Sequence, residues 1–417
     1  MYKKQFSNSS RHRVAQSFPA VGGSRSKFGS ASRSRMTHRG GPSRGRGNRG
    51  QYIDPSRFIN KAVITEEIEH FVPEHSFADF QIDERLKKTI QARGYKDPTP
   101  IQDRSIPHIL KGADLVGVAN TGTGKTAAFL IPLINKVLAN RKEQVLIVVP
   151  TRELAMQIKE ELQSFTQMMN IFSVCCVGGA SITAQMRDLR HFNNFIIGTP
   201  GRLKDLIARK MINLGTFANI VLDEADRMLD MGFVNDMRYV VSLMPKIRQS
   251  LFFSATISPE VEKLIGEFLR EPIRISVKTR ETPKSVDQDI IKVLPGRTKI
   301  DLLSDLLKQT DFSKVLIFGR TKHGVEKLSR ELSKRNFRAE SIHGNKSQSQ
   351  RQRALEGFKR GHSQVLVATD VAARGLDITG VSHVINFDIP ATYDDYVHRI
   401  GRTGRGNKVG KALTFLE

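Results

Sequence analysis

From Phe77 onward the chain alternates short Val/Ile/Leu runs with longer amphipathic stretches. Runs such as Leu115–Ala119, Val145–Val149, Ile220–Leu222, Val315–Phe318 and Val365–Ala368 are too short for buried helices and show no polar face. They read as strands covered on both sides, and the amphipathic stretches between them as the covering helices. That alternation is the βαβ pattern, and it predicts an α/β fold built on parallel sheets.

The runs also repeat. Val145-Leu-Ile-Val-Val-Pro-Thr-Arg152 resembles Val315-Leu-Ile-Phe-Gly-Arg-Thr-Lys322, and Phe195-Ile-Ile-Gly-Thr199 resembles Val365-Leu-Val-Ala-Thr369, both at a displacement of 170 positions. Ile220-Val-Leu-Asp223 has a weaker counterpart in Val384-Ile-Asn-Phe-Asp388. Three correspondences in the same order predict two α/β domains of one design. The expected organisation is a basic arm over residues 1–51, a connector over 52–75, a first domain over 76–276, a linker over 277–285 and a second domain over 286–417. Ligands of such folds sit at the carboxyl ends of the strands, so the polar residues directly after each run are the functional candidates.

Composition changes the picture at the amino end. The 417 residues carry a net charge of +24, and the first fifty contribute +12 of it with no Asp or Glu. Those fifty hold ten Ser and eight Gly and end in Arg39-Gly-Gly-Pro-Ser-Arg-Gly-Arg-Gly-Asn-Arg-Gly50. They cannot bury enough apolar surface to offset the entropy of ordering, which predicts a disordered basic Arg/Gly/Ser-rich arm. Such arms contact single-stranded nucleic acid through phosphates and Arg stacking. A solubilising tail and an organellar transit peptide are the other readings; the glycines and the missing amphipathic stripe argue against the transit peptide. Cys175 and Cys176 are adjacent, which excludes a stapling disulfide between them and favours a reduced compartment. No apolar run reaches membrane-spanning length, so no membrane partner is expected, and bacterial cytoplasm is the favoured location.

Two motifs carry chemistry on their own residues. After the strand Leu115–Ala119 comes Asn120-Thr121-Gly122-Thr123-Gly124-Lys125-Thr126, then an apolar helix start. Strand, glycine turn, Lys-Thr and helix is the context of a P-loop, with Ala119 where the common pattern has Gly. Its backbone N–H groups and helix N-terminus would cradle phosphates, Lys125 would reach the β/γ-phosphates of a nucleotide and Thr126 would hold Mg²⁺. Asp223 and Glu224 come at the end of an apolar strand, Asp223 lying 98 residues after Lys125. Asp223 fits a Mg²⁺-holding acid, and Glu224 the group that polarises the attacking water.

Asp223-Glu-Ala-Asp226 after this P-loop resembles the DEAD-box ATP-dependent RNA helicases, and the resemblance covers roughly residues 76–417. It implies two tandem RecA-like domains and an RNA-dependent ATPase. Gly94-Tyr-Lys-Asp-Pro-Thr-Pro-Ile-Gln102 resembles the Q motif, which implies that Gln102 reads the adenine edge, with Phe77 stacking near the base and Tyr95 and Lys96 on the nucleotide side. Ser254-Ala-Thr256 resembles the motif that couples hydrolysis to strand separation, through hydroxyl bonds to the Asp-Glu-Ala-Asp carboxylates, Asp226 among them. Pro150-Thr151-Arg152-Glu-Leu154, Gly178-Gly179 and Thr199-Pro200-Gly201-Arg202 resemble the first domain's RNA-backbone motifs. Arg320, Gly344, Gln348, Arg351 and Thr369 take that role in the second. Gly375 and Asp377 are implied on the nucleotide phosphate and ribose. His398-Arg-Ile-Gly-Arg402-Thr-Gly-Arg405 resembles the arginine-finger motif, with Arg402 and Arg405 reaching the γ-phosphate and His398 relaying to the first domain. Asn120 and Asn345 depart from the family's usual Gln and Asp and keep hydrogen-bonding capacity. The sequence stops twelve residues after Arg405, which leaves the second domain minimal or shorter than is usual.

The expected activity is ATP hydrolysis coupled to closure of the two domains and local, sequence-independent opening or remodelling of RNA duplexes and RNA–protein complexes, by a monomer. The same residues would serve an ATP-gated RNA clamp, so that alternative stays open. Ribosomal or RNA-degradation proteins are conceivable partners that the residues do not identify.

Overall fold

The computed structural model describes residues 54–60, 71–120, 122–277, 286–293, 295–373, 378–404 and 410–416. The basic arm, the linker residues 278–285 and the candidates Thr121, Gly375, Asp377 and Arg405 lie outside these. Among the described residues, thirteen strands form two sheets. The first holds β1 (Leu115–Val118), β2 (Val145–Val148), β3 (Ser173–Cys176), β4 (Phe195–Gly198), β5 (Asn219–Leu222), β6 (Gln249–Ser254) and β7 (Ile273–Ser276). The second holds β8 (Val286–Lys292), β9 (Val315–Phe318), β10 (Ala339–Ile342), β11 (Val365–Ala368), β12 (His383–Asn386) and β13 (Gly410–Leu416). The orders are β3-β4-β2-β5-β6-β1-β7 and β10-β11-β9-β12-β13-β8. Every strand pair within these sheets is parallel.

The 170-residue repeat is a repeat of topology. β4-β2-β5 in one sheet answers to β11-β9-β12 in the other. Even the register is kept: Val145 lies opposite Phe195, and Val315 opposite Val365. Thr151 and Thr321, also 170 apart, cap the helices that follow β2 and β9, accepting from the Leu154 N–H at 3.3 Å and the Gly324 N–H at 3.0 Å.

Continuous apolar runs suit these strands because both faces are covered. Along β2, Val145 and Ile147 join one core cluster while Leu146 and Val148 join another. Along β9, Leu316 and Phe318 face one cluster and Val315 and Ile317 face the other. The segment Asp54–Asn60 departs from sequential packing. It precedes the first sheet in the chain, yet Phe58 is 1% exposed in a core cluster of the second sheet.

β12 opens on a buried histidine. The His383 ring stacks on Phe312 with centroids 3.7 Å apart, and its Nε2 lies 3.7 Å from the exposed Asp311, which also pairs with Lys411 at 3.0 Å. Burial pushes His383 down to about 4, against Asp311, which pulls the other way. The unfolded chain takes up this proton near pH ~6.5 and the native chain only near 4. His383 therefore contributes stability fully above pH ~6.5, and loses it as pH falls towards 4. A urea-midpoint series is expected to drop across that window, by on the order of 2 kcal/mol, and to flatten there in His383→Gln. Equal slopes in both proteins would refute the assignment.

Candidate functional site

Because the strands are parallel, all their carboxyl ends lie along one edge of each sheet, and the sequence candidates gather there. The P-loop follows β1, Thr151 follows β2, Gly179 β3, Thr199 β4, Asp223 β5, and Ser254 ends β6. In the second sheet Arg320, Gly344 and Thr369 follow β9, β10 and β11. β6 lies between β1 and β5, so the strand ending in Ser254 separates the phosphate loop from the acid pair.

The phosphate loop is held from three sides. Gly122 and Gly124 have φ of 86° and 92°, values that favour glycine. A Cβ on Gly124 would lie 2.4 Å from Gln102 Nε2. Gln102 is 2% exposed; its Nε2 donates to the Gly124 carbonyl at 3.1 Å and its Oε1 accepts from the Thr99 N–H at 2.9 Å. Lys125, at the start of helix Lys125–Ala139, donates to the Ala119 carbonyl at 2.7 Å. The Ala119 N–H donates to the Ser254 carbonyl at 3.0 Å. The Thr123 hydroxyl donates to the Asn120 carbonyl at 2.8 Å, and Thr126 is half-buried in the helix's first turn.

Asp223 is fully inside the protein, and burial pushes its carboxyl up to about 6, against the nearby Lys125. Its Oδ1 accepts the Glu224 N–H at 2.9 Å. Glu224 sits in the left-handed region, with φ 51° and ψ 48°, which costs a non-glycine residue roughly 1 kcal/mol or more. The strain turns a carboxylate that is 4% exposed to the sheet edge. Its Oε2 has no hydrogen-bond partner among the described residues and lies 3.6 Å from Arg227 Nε.

Asp226 ties the turn after β5 to the turn after β6. Its Oδ2 accepts from the Ala255 N–H at 3.2 Å, the Thr256 N–H at 3.1 Å and the Thr256 hydroxyl at 3.0 Å. The expected hydroxyl contact to this carboxylate is therefore made by Thr256. Ser254 differs from expectation: its hydroxyl donates to the Thr256 carbonyl at 2.7 Å and shapes the turn instead.

The basic candidates after β2, β3 and β4 converge. The Arg152 guanidinium lies against Gly178 and Gly179, and a Cβ on Gly179 would overlap its Nη1, so the guanidinium would have to move for any larger residue there. Arg202 donates to Gln185 Oε1 at 2.9 Å and to the Ala180 carbonyl at 3.3 Å. Burial depresses the Arg152 pKa, and the charges of Arg351 and Arg202 add to that. A guanidinium is a planar donor whose geometry suits phosphate oxygens. Pro150 and Pro200 are buried beside them and Gly201 is exposed.

The DEAD/DEAH box helicase family model matches residues 99–264, and the helicase conserved C-terminal domain matches residues 298–407. The ATP-dependent RNA helicase CshA of Bacillus subtilis is 44% identical over 342 residues, which are 82% of this chain and 69% of that protein. The chain belongs to the DEAD-box ATP-dependent RNA helicases. CshA of Listeria monocytogenes is also 44% identical, over 82% of this chain and 66% of its own length, so the chain spans about two thirds of these relatives. Among solved structures, S. cerevisiae Dbp5 bound to RNA and ADP BeF3 superposes with a TM-score of 0.73 at 30% identity, covering 82% of this chain and 89% of that one. Mss116 bound to ssRNA and UDP-BeF gives a TM-score of 0.74 at 30% identity, covering 83% and 76%.

Within this DEAD-box helicase several candidates stand differently from expectation. Phe77 is buried, edge-on to Phe80 and Tyr95, so its ring is part of the core and shows no open face. Tyr95 in turn packs on Phe165, and Lys96 is exposed. Arg351, expected on RNA, pairs with Glu153 of the first half at 2.7 Å, both side chains under a tenth exposed. A desolvated guanidinium requires such a partner. Arg320 holds Asp388 through its N–H at 2.7 Å and lines a cavity of about 320 Å³ with Lys299, Thr321 and Ile389. Gln348 is half-buried at the start of helix Gln348–Lys359, and Gly344 is exposed.

Two residues were missed. Glu153 sits inside the Pro150–Leu154 motif, and Arg227 directly follows Asp226. Arg227 is 2% exposed, and it lines a narrow cavity with His398, Arg399 and Arg402 of the second half. The signal for both was a charged residue on the buried side of a helix.

Proposed function

We propose that this chain hydrolyses ATP when RNA is bound, and couples the reaction to closure of its two halves and to local, sequence-independent opening of short RNA duplexes. The observation that carries this reading is the Glu224 carboxylate, buried at the strand end beside Asp223, with one oxygen that accepts no hydrogen bond among the described residues and faces Arg227 Nε at 3.6 Å. A carboxylate in that setting can accept the proton of an attacking water. Lys125 and the loop N–H groups would hold the phosphates, and Gln102, with donor and acceptor in one plane, suits an adenine edge. The Thr126 hydroxyl and the Asp223 carboxylate are hard oxygen donors that fit Mg²⁺, and the raised Asp223 pKa is that of a carboxylate suited to a cation. Mg²⁺ there would neutralise phosphate charge. Arg402, at the cavity that Arg227 shares with the second half, would add positive charge to the γ-phosphate on closure. The guanidinium groups of Arg152 and Arg202 would take RNA phosphates without reading bases.

The test is steady-state ATP hydrolysis with single-stranded RNA, with DNA and with neither, beside strand separation of a short RNA duplex. Stimulation by RNA alone, together with ATP-dependent strand separation, is the expected result. Equal rates in all three conditions would overturn the reading.

A further inference from the structure

The segment Asp54–Asn60 touches the helix that leads to Arg402. Asp54 caps a short 3₁₀ turn, Pro55–Phe58, by accepting the Ser56 N–H at 2.9 Å. From that turn Phe58 inserts its ring against Tyr396, with centroids 4.7 Å apart, and Arg57 lies 3.6 Å over the ring of Tyr393. Tyr393 and Tyr396 are three residues apart on helix Tyr393–Ile400, so both rings share one face. Asn60 then exchanges two backbone hydrogen bonds with Gln288, at 3.1 and 2.7 Å, adding an antiparallel bridge to the edge strand β8. The Gln288 side chain closes the circuit by accepting the Tyr396 hydroxyl at 2.9 Å. The same eight-residue helix carries His398 and Arg399, and Arg402 follows two residues after its end.

We propose that Asp54–Asn60 is a positioning element of the ATPase site: it braces helix Tyr393–Ile400 from behind and thereby fixes where His398 and Arg402 stand. This inference rests on the ATPase reading above. A bracing role has a specific kinetic form. ATP binds to the phosphate loop of the other half, whereas the ring contacts and backbone bridge of the segment are to the second half, so substrate binding is spared. What suffers is the step that needs Arg402 in place, and so kcat falls.

The experiment compares full-length Phe58→Ala, Phe58→Leu and Arg57→Ala with the parent chain. RNA-stimulated kcat, KM for ATP and the thermal unfolding midpoint are measured on each. Phe58→Ala is expected to lower kcat about tenfold with KM for ATP within about twofold, and Phe58→Leu to recover most of it. Arg57→Ala removes only an exposed ring contact. It is expected to lower kcat about two- to threefold with the midpoint unchanged. Should Phe58→Ala fail to fold, Arg57→Ala decides. Parental kcat in folded Arg57→Ala, with Phe58→Ala either parental or unfolded, or a kcat loss that only follows the unfolding midpoint, would overturn the proposal. A parent chain without RNA-stimulated hydrolysis would instead overturn the reading on which it rests.

Discussion

Glu224→Gln is expected to lower ATP turnover about a thousandfold while ATP affinity stays within about twofold. The substitution keeps the volume and the left-handed backbone of a residue that is 4% exposed, and removes the carboxylate charge, both as base and as the group facing Arg227 at 3.6 Å. The Oε2 of that carboxylate has no hydrogen-bond partner among the described residues. General-base catalysis is worth about 10²–10⁴ in rate, so the loss has a ceiling as well as a floor. The phosphate loop is untouched, because Lys125, Gln102 and Gly124 are held independently of Glu224. Single-turnover hydrolysis and equilibrium ATP binding on the same preparation check both halves of the statement. A variant that retained a tenth of the parental rate would move the base elsewhere.

Arg399→Ala is expected to destabilise the second half by about 3–5 kcal/mol. The guanidinium is 2% exposed and makes four bonds: Nε and Nη2 to the two oxygens of Asp370 at 2.5 and 2.8 Å, and Nη1 to Asn386 Oδ1 at 3.1 Å and to the Asp388 carbonyl at 2.7 Å. Removing it strands a carboxylate and two further acceptors where β11 and β12 end. A domain's whole stability is about 5–15 kcal/mol, so the loss is a large part of it. Lysine is no substitute, since a single ammonium cannot match a bidentate fork. Urea unfolding is expected to show the second half melting early while the first half, read by ATP binding, keeps its midpoint. A shift under about 1 kcal/mol would refute the assignment, being well below the cost of breaking a buried pair.

The functional edge was legible in the sequence for a reason that lies in parallel sheets. Strands buried on both faces must be apolar throughout, so the first polar residues after each run mark the carboxyl edge without any knowledge of tertiary contacts. The phosphate loop, Asp223, Glu224 and the 170-residue repeat all come from such local signals. What stayed hidden depends on pairing across long separations. Nothing near Arg351 announces Glu153, and nothing near Ser254 shows that its hydroxyl turns inward to the Thr256 carbonyl. Phe77 reads as an isolated aromatic until Phe80 and Tyr95 enclose it. Asp54-Pro55-Ser56 is a recognisable turn signal, but which sheet it joins is not a local property.

The place of β13 has a consequence for how the chain is made. It lies between β12 and β8, so β8 has no neighbour in its sheet until residues 410–416 have left the ribosome. The first sheet needs nothing beyond Ser276 and can fold while synthesis continues. The second must wait and then close at once, around a strand inserted last. A nascent chain stalled before residue 410 should therefore present one finished half and one protease-sensitive half.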